Sequence, residues 1–253
     1  MHRIAVVIPA HNEEAHIAAC LAAVSEAARR VASIESSRRH EVAVFVVCDA
    51  CTDGTAEIVR DAGLTPLIVR ERSVGAARAA GASAALQSVA DWLAFTDADT
   101  LVTESWLVAQ LTLESDVVCG TIAVEDWGAH GEAVRNDFAA TYKDIDGHRH
   151  IHGANLGMSA AAYRRAGGFA MLTSSEDVAI VEALERAGAT IAWSAAPRVV
   201  TSARVDHRAP HGFGAALVAA AERFRKLAAI EPTETRTTSF TFPPFISPPF
   251  ISK

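Results

Sequence analysis

An unbroken apolar run, Ile4-Ala5-Val6-Val7-Ile8, is followed by a polar loop and a helical stretch, and the same unit then recurs along the first hundred residues. This rhythm constrains the fold more than any other feature of the chain. A strand with water on one face alternates apolar and polar residues, whereas a run apolar at every position suits a strand covered on both faces. The later copies are Val42 to Val47, Leu67-Ile68-Val69 and Trp92-Leu93-Ala94-Phe95. Between them lie helical segments to about Arg30, from Asp53-Gly54-Thr55 to about Ala62, and from Val74 to Ser88. Pro9 ends the first strand, and Asn12 is expected to cap the first helix, with Glu13 and Glu14 in its first turn. Strand, helix, strand in this order requires right-handed crossovers and a parallel sheet. Ligands of such open sheets bind at the carboxyl ends of the strands, so the chemistry is expected in the loops at Pro9–Glu13, Cys48–Thr55, Arg70–Gly75 and Thr96–Thr100.

The second half is less regular. Val117 to Val124 reads as a strand, Gly131 to Tyr142 as a helix, Glu176 to Arg186 as a helix, and Gly214 to Leu227 as the last helix, with strands near Ile191 and Val199. His148, His150 and His152 alternate, so on a strand they would share one face. The expected organisation is one domain over 1–230, with a nucleotide-binding half at 1–100 and an acceptor half at 101–230. Residues 231–253 form a low-complexity tail in which Pro243–Ser247 repeats as Pro248–Ser252; adjacent prolines deny it regular structure.

Composition narrows the partners. The 253 residues are half hydrophobic, enough for a core, and carry a net charge of −7. Mixed charges of this kind give no uniform basic field, so nucleic acid is not expected as a partner. No stretch reaches the about 18–20 unbroken apolar residues that a membrane span needs. Met1-His2-Arg3 leads directly into the first strand without the apolar region of a secretory leader. Cys20, Cys48, Cys51 and Cys119 are too few and too scattered for a disulfide framework, so a cytoplasmic setting is expected. Cys48 and Cys51 form a C-x-x-C, but no second ligand pair for zinc accompanies it.

The strongest chemical signal is Thr96-Asp97-Ala98-Asp99 directly after an apolar strand. Two carboxylates at such an end suit a hard divalent cation, Mn²⁺ or Mg²⁺, that bridges phosphates. Asp99 is the expected metal contact and Asp97 the contact to a ribose. Read alone, the same pattern also suits a turn with helix-capping aspartates.

Taken in order, Val7-Ile8-Pro9-Ala10-His11-Asn12-Glu13-Glu14, then Cys48-Asp49-Ala50-Cys51-Thr52-Asp53-Gly54-Thr55, then Asp97-Ala98-Asp99 resemble the family 2 glycosyltransferases. The resemblance runs from about Arg3 to Thr201 and more weakly to Leu227. It implies the GT-A fold, an α/β architecture with a Rossmann-like, mostly parallel central sheet flanked by helices. It also implies a divalent metal cofactor, a nucleotide-sugar donor with a UDP-sugar first among the candidates, and an unidentified acceptor. Pro9, Ala10 and Glu13 match the loop that holds the nucleoside, and Asp49 the acid associated with the base; Cys48 stands where the family has another acid. Arg72, Gly75 and Arg78 match an element near the diphosphate, with a solvated helix face as the other reading of Arg78. Glu176-Asp177 matches the pair that supplies the catalytic base, with Asp177 as the base and Glu176 orienting. Gly153 to Ser159 matches the acceptor-side strand, which makes His152 and Asn155 acceptor-side candidates. Thr201 to Pro210 resembles the closing segment, with His207 or His211 as a late metal ligand and Arg204 or Arg208 facing the leaving diphosphate.

The expected function is therefore an inverting, metal-dependent sugar transfer to an acceptor hydroxyl. A sugar-nucleotide nucleotidyltransferase shares the sheet, but needs a glycine-rich loop where this chain has Pro-Ala-His-Asn-Glu. A non-catalytic nucleotide-binding relative is the other alternative. The oligomeric state stays open, a homo-oligomer included.

Overall fold

The computed structural model describes residues 2–34, 39–172, 174–205 and 212–230. In chain order the elements are β1 (His2–Ala10), α1 (Ile17–Ala32), β2 (His40–Asp49), α2 (Thr55–Asp61), β3 (Leu67–Val69), α3 (Val74–Gln87), β4 (Trp92–Phe95), β5 (Thr100–Val102), α4 (Trp106–Thr112), β6 (Val117–Cys119), β7 (Ile122–Ala123), α5 (Gly131–Thr141), β8 (Leu156–Ser159), α6 (Ala160–Arg165), α7 (Glu176–Arg186), β9 (Ile191–Trp193), β10 (Val199–Thr201) and α8 (Phe213–Ile230). The residues group into two compact units. One spans 1–125 and 144–202, the other 126–143 and 203 onward.

In the first unit a seven-stranded sheet runs β3-β2-β1-β4-β8-β6-β9. Only β8 is antiparallel to its neighbours, β4 and β6. The parallel order reverses at β1, which pairs with β2 on one side and β4 on the other. Such a switch point opens a crevice at the strands' carboxyl ends. A small sheet, β5-β10-β7, lies apart from the large one.

The core follows from the apolar runs. Residues Ile4 to Ile8 are essentially inaccessible, and Ala5 and Val7 share one core with Phe95, Leu156, Met158, Ile180 and Leu184. Each such aliphatic or aromatic side chain contributes about 1.5–3 kcal/mol when removed from water. The α3 helix has no apolar stripe to speak of, because it is built of small residues nearly all round. Its lack of bulk is what lets it sit close to β1 and β2: a Cβ on Gly81 would collide with the Val7 side chain. Ser73 caps this helix by accepting from the Ala76 N–H at 3.3 Å.

Three local expectations are corrected. The first helix begins at Ile17, not after Asn12. Asn12 instead adopts a positive φ of 54° and accepts from the Thr52 N–H at 2.7 Å, tying the β1 loop to the β2 loop. The stretch Val117–Val124 is not one strand, since Gly120 and Thr121 separate β6 and β7, which belong to different sheets. Gly120 presses against the Asn155 amide there, where no Cβ fits. The three alternating histidines lie on no strand; their rings nevertheless stack, with centroids 5.4 Å apart for His148–His150 and 5.9 Å for His150–His152.

The second unit is small. Phe138 of α5 stacks on Tyr142 at 4.5 Å and meets Trp127 and Phe213 edge-on or tilted. Arg223 of α8 pairs with Asp137 of α5 at 3.0 Å. Among the described residues no helix is long and apolar enough to cross a membrane.

Candidate active site

The loops after β1 and β2 are stitched together by side chains that the sequence groups at two distant places. The Glu13 N–H donates to Thr55 Oγ1 at 2.7 Å, and the Thr55 hydroxyl donates to Asp53 Oδ1 at 2.6 Å. Glu14 Oε2 accepts from the Gly54 N–H at 2.8 Å. Burial works to raise the Asp53 pKa, but the Thr55 hydroxyl and the backbone N–H groups of Glu14 and Thr55 outweigh it and hold the carboxyl below its ordinary value. Pro9, Ala10 and Glu13 are all buried in this wall. The Cys51 thiol donates to the Ala10 carbonyl at 3.3 Å. All four cysteines are free thiols, and burial with the neighbouring Cys51 pushes Cys48 up to about 12.

Asp49, at the end of β2, is 3% exposed. Its carboxylate accepts three backbone N–H groups, from Glu71 at 2.7 Å, Arg72 at 2.9 Å and Ser73 at 2.8 Å. It therefore shapes the β3–α3 loop. Arg72 itself is exposed and held at a φ of 50°. Of the six non-glycine residues with positive φ among the described ones, Asn12, Ala50 and Arg72 lie just beyond the carboxyl ends of β1, β2 and β3, and Ser175 lies just before Asp177. Backbone strain of this kind persists only where surrounding contacts enforce it, and it concentrates at working sites.

The most telling arrangement is made by Arg78. It is buried on α3 at 3% exposure, so the solvated-face reading is overturned. One end of its guanidinium donates to Asp97 at 2.5 Å, and the other donates to Glu176. A single cation thus joins the end of β4 to the start of α7. Burial tends to lower the Arg78 pKa, but the charges of Asp97, Glu176 and Asp177 raise it further, so it stays protonated. Burial raises the Glu176 pKa, Arg78 opposes that, and neighbouring Asp177 adds to it; the net direction is upward. Asp177 is half-buried, and accepts from the Gly153 N–H at 3.0 Å and the Val178 N–H at 2.9 Å.

Asp97 and Asp99 are both partly exposed at the end of β4. Among the described residues no three His, Cys, Asp or Glu side chains converge on a metal-sized point. Asp99 presents a hard oxygen donor at the crevice, with the Thr100 hydroxyl 3.5 Å from its Oδ1. The other expected metal ligand, His207, lies outside the described residues, as do His211 and Arg208. On the acceptor side, burial together with His150 and His148 takes the His152 pKa down to about 3, so the ring is neutral. Asn155 is fully buried. Its carbonyl accepts from Trp106 Nε1 at 2.9 Å, and its amide donates to the carbonyls of Thr121, at 2.8 Å, and Pro197. Asn155 thereby braces the β6–β7 turn. Sequence reasoning placed Gly153 in the acceptor-side segment but did not show its contact with Arg78. A Cβ there would collide with the Arg78 guanidinium.

The mostly parallel sheet with a switch point and flanking helices is an α/β fold of the GT-A type, as the comparisons with known proteins show. The model of glycosyl transferase family 2 matches residues 5–166, and the chain belongs to that family. No curated protein sequence matches the chain significantly. Among solved structures it is similar to S. aureus TarS, with TM-score 0.59 and 17% identity, over 80% of this chain and 37% of that one. A TarS 1–349 structure in complex with UDP-GlcNAc matches at TM-score 0.59 and 17% identity, over 82% of this chain and 60% of that one. Glucosyl-3-phosphoglycerate synthase from Mycobacterium tuberculosis, in complex with Mg²⁺ and UDP, matches at TM-score 0.55 and 16% identity over 87% and 79%. The mannosyltransferase PcManGT from Pyrobaculum calidifontis, with GDP-Man and Mn²⁺, matches at TM-score 0.57 and 18% identity over 91% and 65%. The chain thus spans less than two thirds of the TarS chains named here.

Proposed function

We propose that this protein transfers a sugar from a nucleoside diphosphate sugar, a UDP-sugar first, to an acceptor hydroxyl with inversion, using a divalent metal. The observation that carries the reading is the gathering of Asp97, Glu176 and Asp177 around the one Arg78 guanidinium, although they come from segments about 80 residues apart in sequence. Acids that are exposed at a strand end can meet a nucleotide and its metal, while the half-buried Asp177 stands beside them with two backbone N–H groups orienting it. An inverting transfer needs one such carboxylate to take the proton from the attacking hydroxyl. Asp177 is assigned that task, and Glu176 the orientation of the helix start.

Pro9, Ala10, Glu13 and Asp49 line the donor side, with Asp49 acting through the loop it holds as well as toward the base. Asp97 faces the ribose and exposed Arg72 the diphosphate. Asp99 would hold Mn²⁺ or Mg²⁺, and the metal would supply neutralisation of charge on the departing diphosphate. His152 faces the acceptor as a neutral imidazole. Structures of similar fold that hold UDP, UDP-GlcNAc or GDP-Man support the donor class. The testing experiment measures nucleotide release from a panel of UDP-, GDP- and dTDP-sugars with Mn²⁺, with EDTA, and with Asp99→Asn. Release that needs metal and falls about 100-fold in Asp99→Asn is expected; release unchanged in EDTA or in the variant overturns the metal assignment.

A further inference from the structure

We infer that Arg78 is a positioning residue for the base Asp177, acting through Gly153, and not a ligand of the donor diphosphate. The inference rests on the reading of Asp177 as the base. Arg78 is 3% exposed, and both terminal nitrogens of its guanidinium are taken by carboxylates, Asp97 and Glu176. A diphosphate could reach it only by displacing one of those acids and opening the core. The guanidinium also occupies the space where a Cβ of residue 153 would sit, so beside Arg78 in this position residue 153 fits only as glycine. The Gly153 backbone packed against that plane directs its N–H to Asp177 Oδ2 at 3.0 Å. On the other side, Glu176 is the immediate chain neighbour of Asp177, and Arg78 fixes it as well. The base is thus held from two sides by one cation: through its helix neighbour, and through the N–H of a glycine shaped to the guanidinium. Three acids gathered without a cation would repel one another and loosen this geometry. A misplacement of a reacting group by about 1 Å can cost about 100-fold in rate.

The test uses the whole chain with Arg78→Met and Arg78→Lys. Amide hydrogen exchange at Gly153, measured relative to Val7 and Leu93 in the core, reads the positioning directly and needs no donor. Exchange at Gly153 is expected to speed up at least about tenfold in Arg78→Met and to return most of the way in Arg78→Lys; exchange unchanged in Arg78→Met overturns the inference. In parallel, calorimetry with UDP or GDP and Mn²⁺ is set beside turnover of whichever nucleotide sugar the wild type consumes. Nucleotide affinity within about threefold of wild type, with turnover down about 100-fold and partly rescued by lysine, supports positioning. Affinity lost tenfold or more, with turnover of the saturated enzyme intact, makes Arg78 a diphosphate ligand and refutes it. Should Arg78→Met fail to fold, Gly153→Ala keeps every charge yet pushes the guanidinium aside, and the same split is expected. A wild type that turns over no nucleotide sugar fails the proposed reaction, while the exchange measurement still decides the role of Arg78.

Discussion

Replacing Asp177 by asparagine should separate the work of its carboxylate in the reaction from its work in the fold. The side chain accepts two backbone N–H groups, from Gly153 at 3.0 Å and Val178 at 2.9 Å. Asparagine has one carbonyl, so it keeps one of these bonds and turns its own NH₂ toward the other N–H. A hydrogen bond to a charged acceptor contributes about 1.5–3 kcal/mol, so the variant should lose about 2 kcal/mol of stability. For a chain of this size that lowers Tm by about 4–8 °C, well short of unfolding it at 25 °C. Turnover is a larger matter. Loss of a general base costs about 100- to 10,000-fold, equivalent to about 3–5 kcal/mol of transition-state stabilisation. The proposed donor contacts come from the first hundred residues, so the fall should appear in kcat and not in donor KM. The assay is nucleotide release under donor saturation, beside a thermal melt of the same sample and NMR of the product's anomeric centre. Near-normal kcat in Asp177→Asn would refute the argument. So would a product that retains the donor's configuration, or a loss of rate that disappears once the unfolded fraction is corrected for.

Asp49→Ala releases three backbone N–H groups of the β3–α3 loop; we expect about 2–3 kcal/mol less stability by denaturant melt and a raised donor KM with kcat nearly kept, and an unchanged KM would place the base elsewhere. Asn155→Leu leaves Trp106 Nε1 and the carbonyls of Thr121 and Pro197 without their buried partner, which should cost about 3–5 kcal/mol; a loss under about 1 kcal/mol would contradict its bracing role. The folded His152 value of about 3 lies below the ordinary value of about 6.5. Its stabilising contribution is therefore complete above pH 6.5 and lost as pH falls from 6.5 toward 3, at about 1 kcal/mol per pH unit. His152→Gln should flatten that part of the stability profile, and an unaltered difference between wild type and variant across pH 6 to 4 would show that the ring titrates normally.

Local chemistry determined a good part of this protein by itself. The runs Ile4–Ile8, Val42–Val47, Leu67–Val69 and Trp92–Phe95 all lie on mutually parallel strands of one sheet; the central runs Ile4–Ile8 and Trp92–Phe95 are covered on both faces, as an all-apolar strand requires, whereas β3 is the edge strand and leaves Ile68 58% exposed. The acids of Asp97-Ala98-Asp99 and Glu176-Asp177 likewise stand at a strand end and a helix start, where pattern alone places them. Tertiary structure decided what those acids share. Nothing in α3, with its ring of alanines and glycines, shows that Arg78 points inward; only the fold brings Asp97 and Glu176, from the end of β4 and the start of α7, to either end of its guanidinium. Asn12 shows the same limit. Its side chain could cap the next helix or bridge to Thr52, both being local hydrogen bonds of similar strength, and only the approach of the β2 loop settled the choice. Val117–Val124 reads as one strand because apolar character is a one-dimensional property, whereas the Asn155 side chain, arriving from 35 residues away, fills the space a side chain at residue 120 would need and donates to the Thr121 carbonyl between β6 and β7.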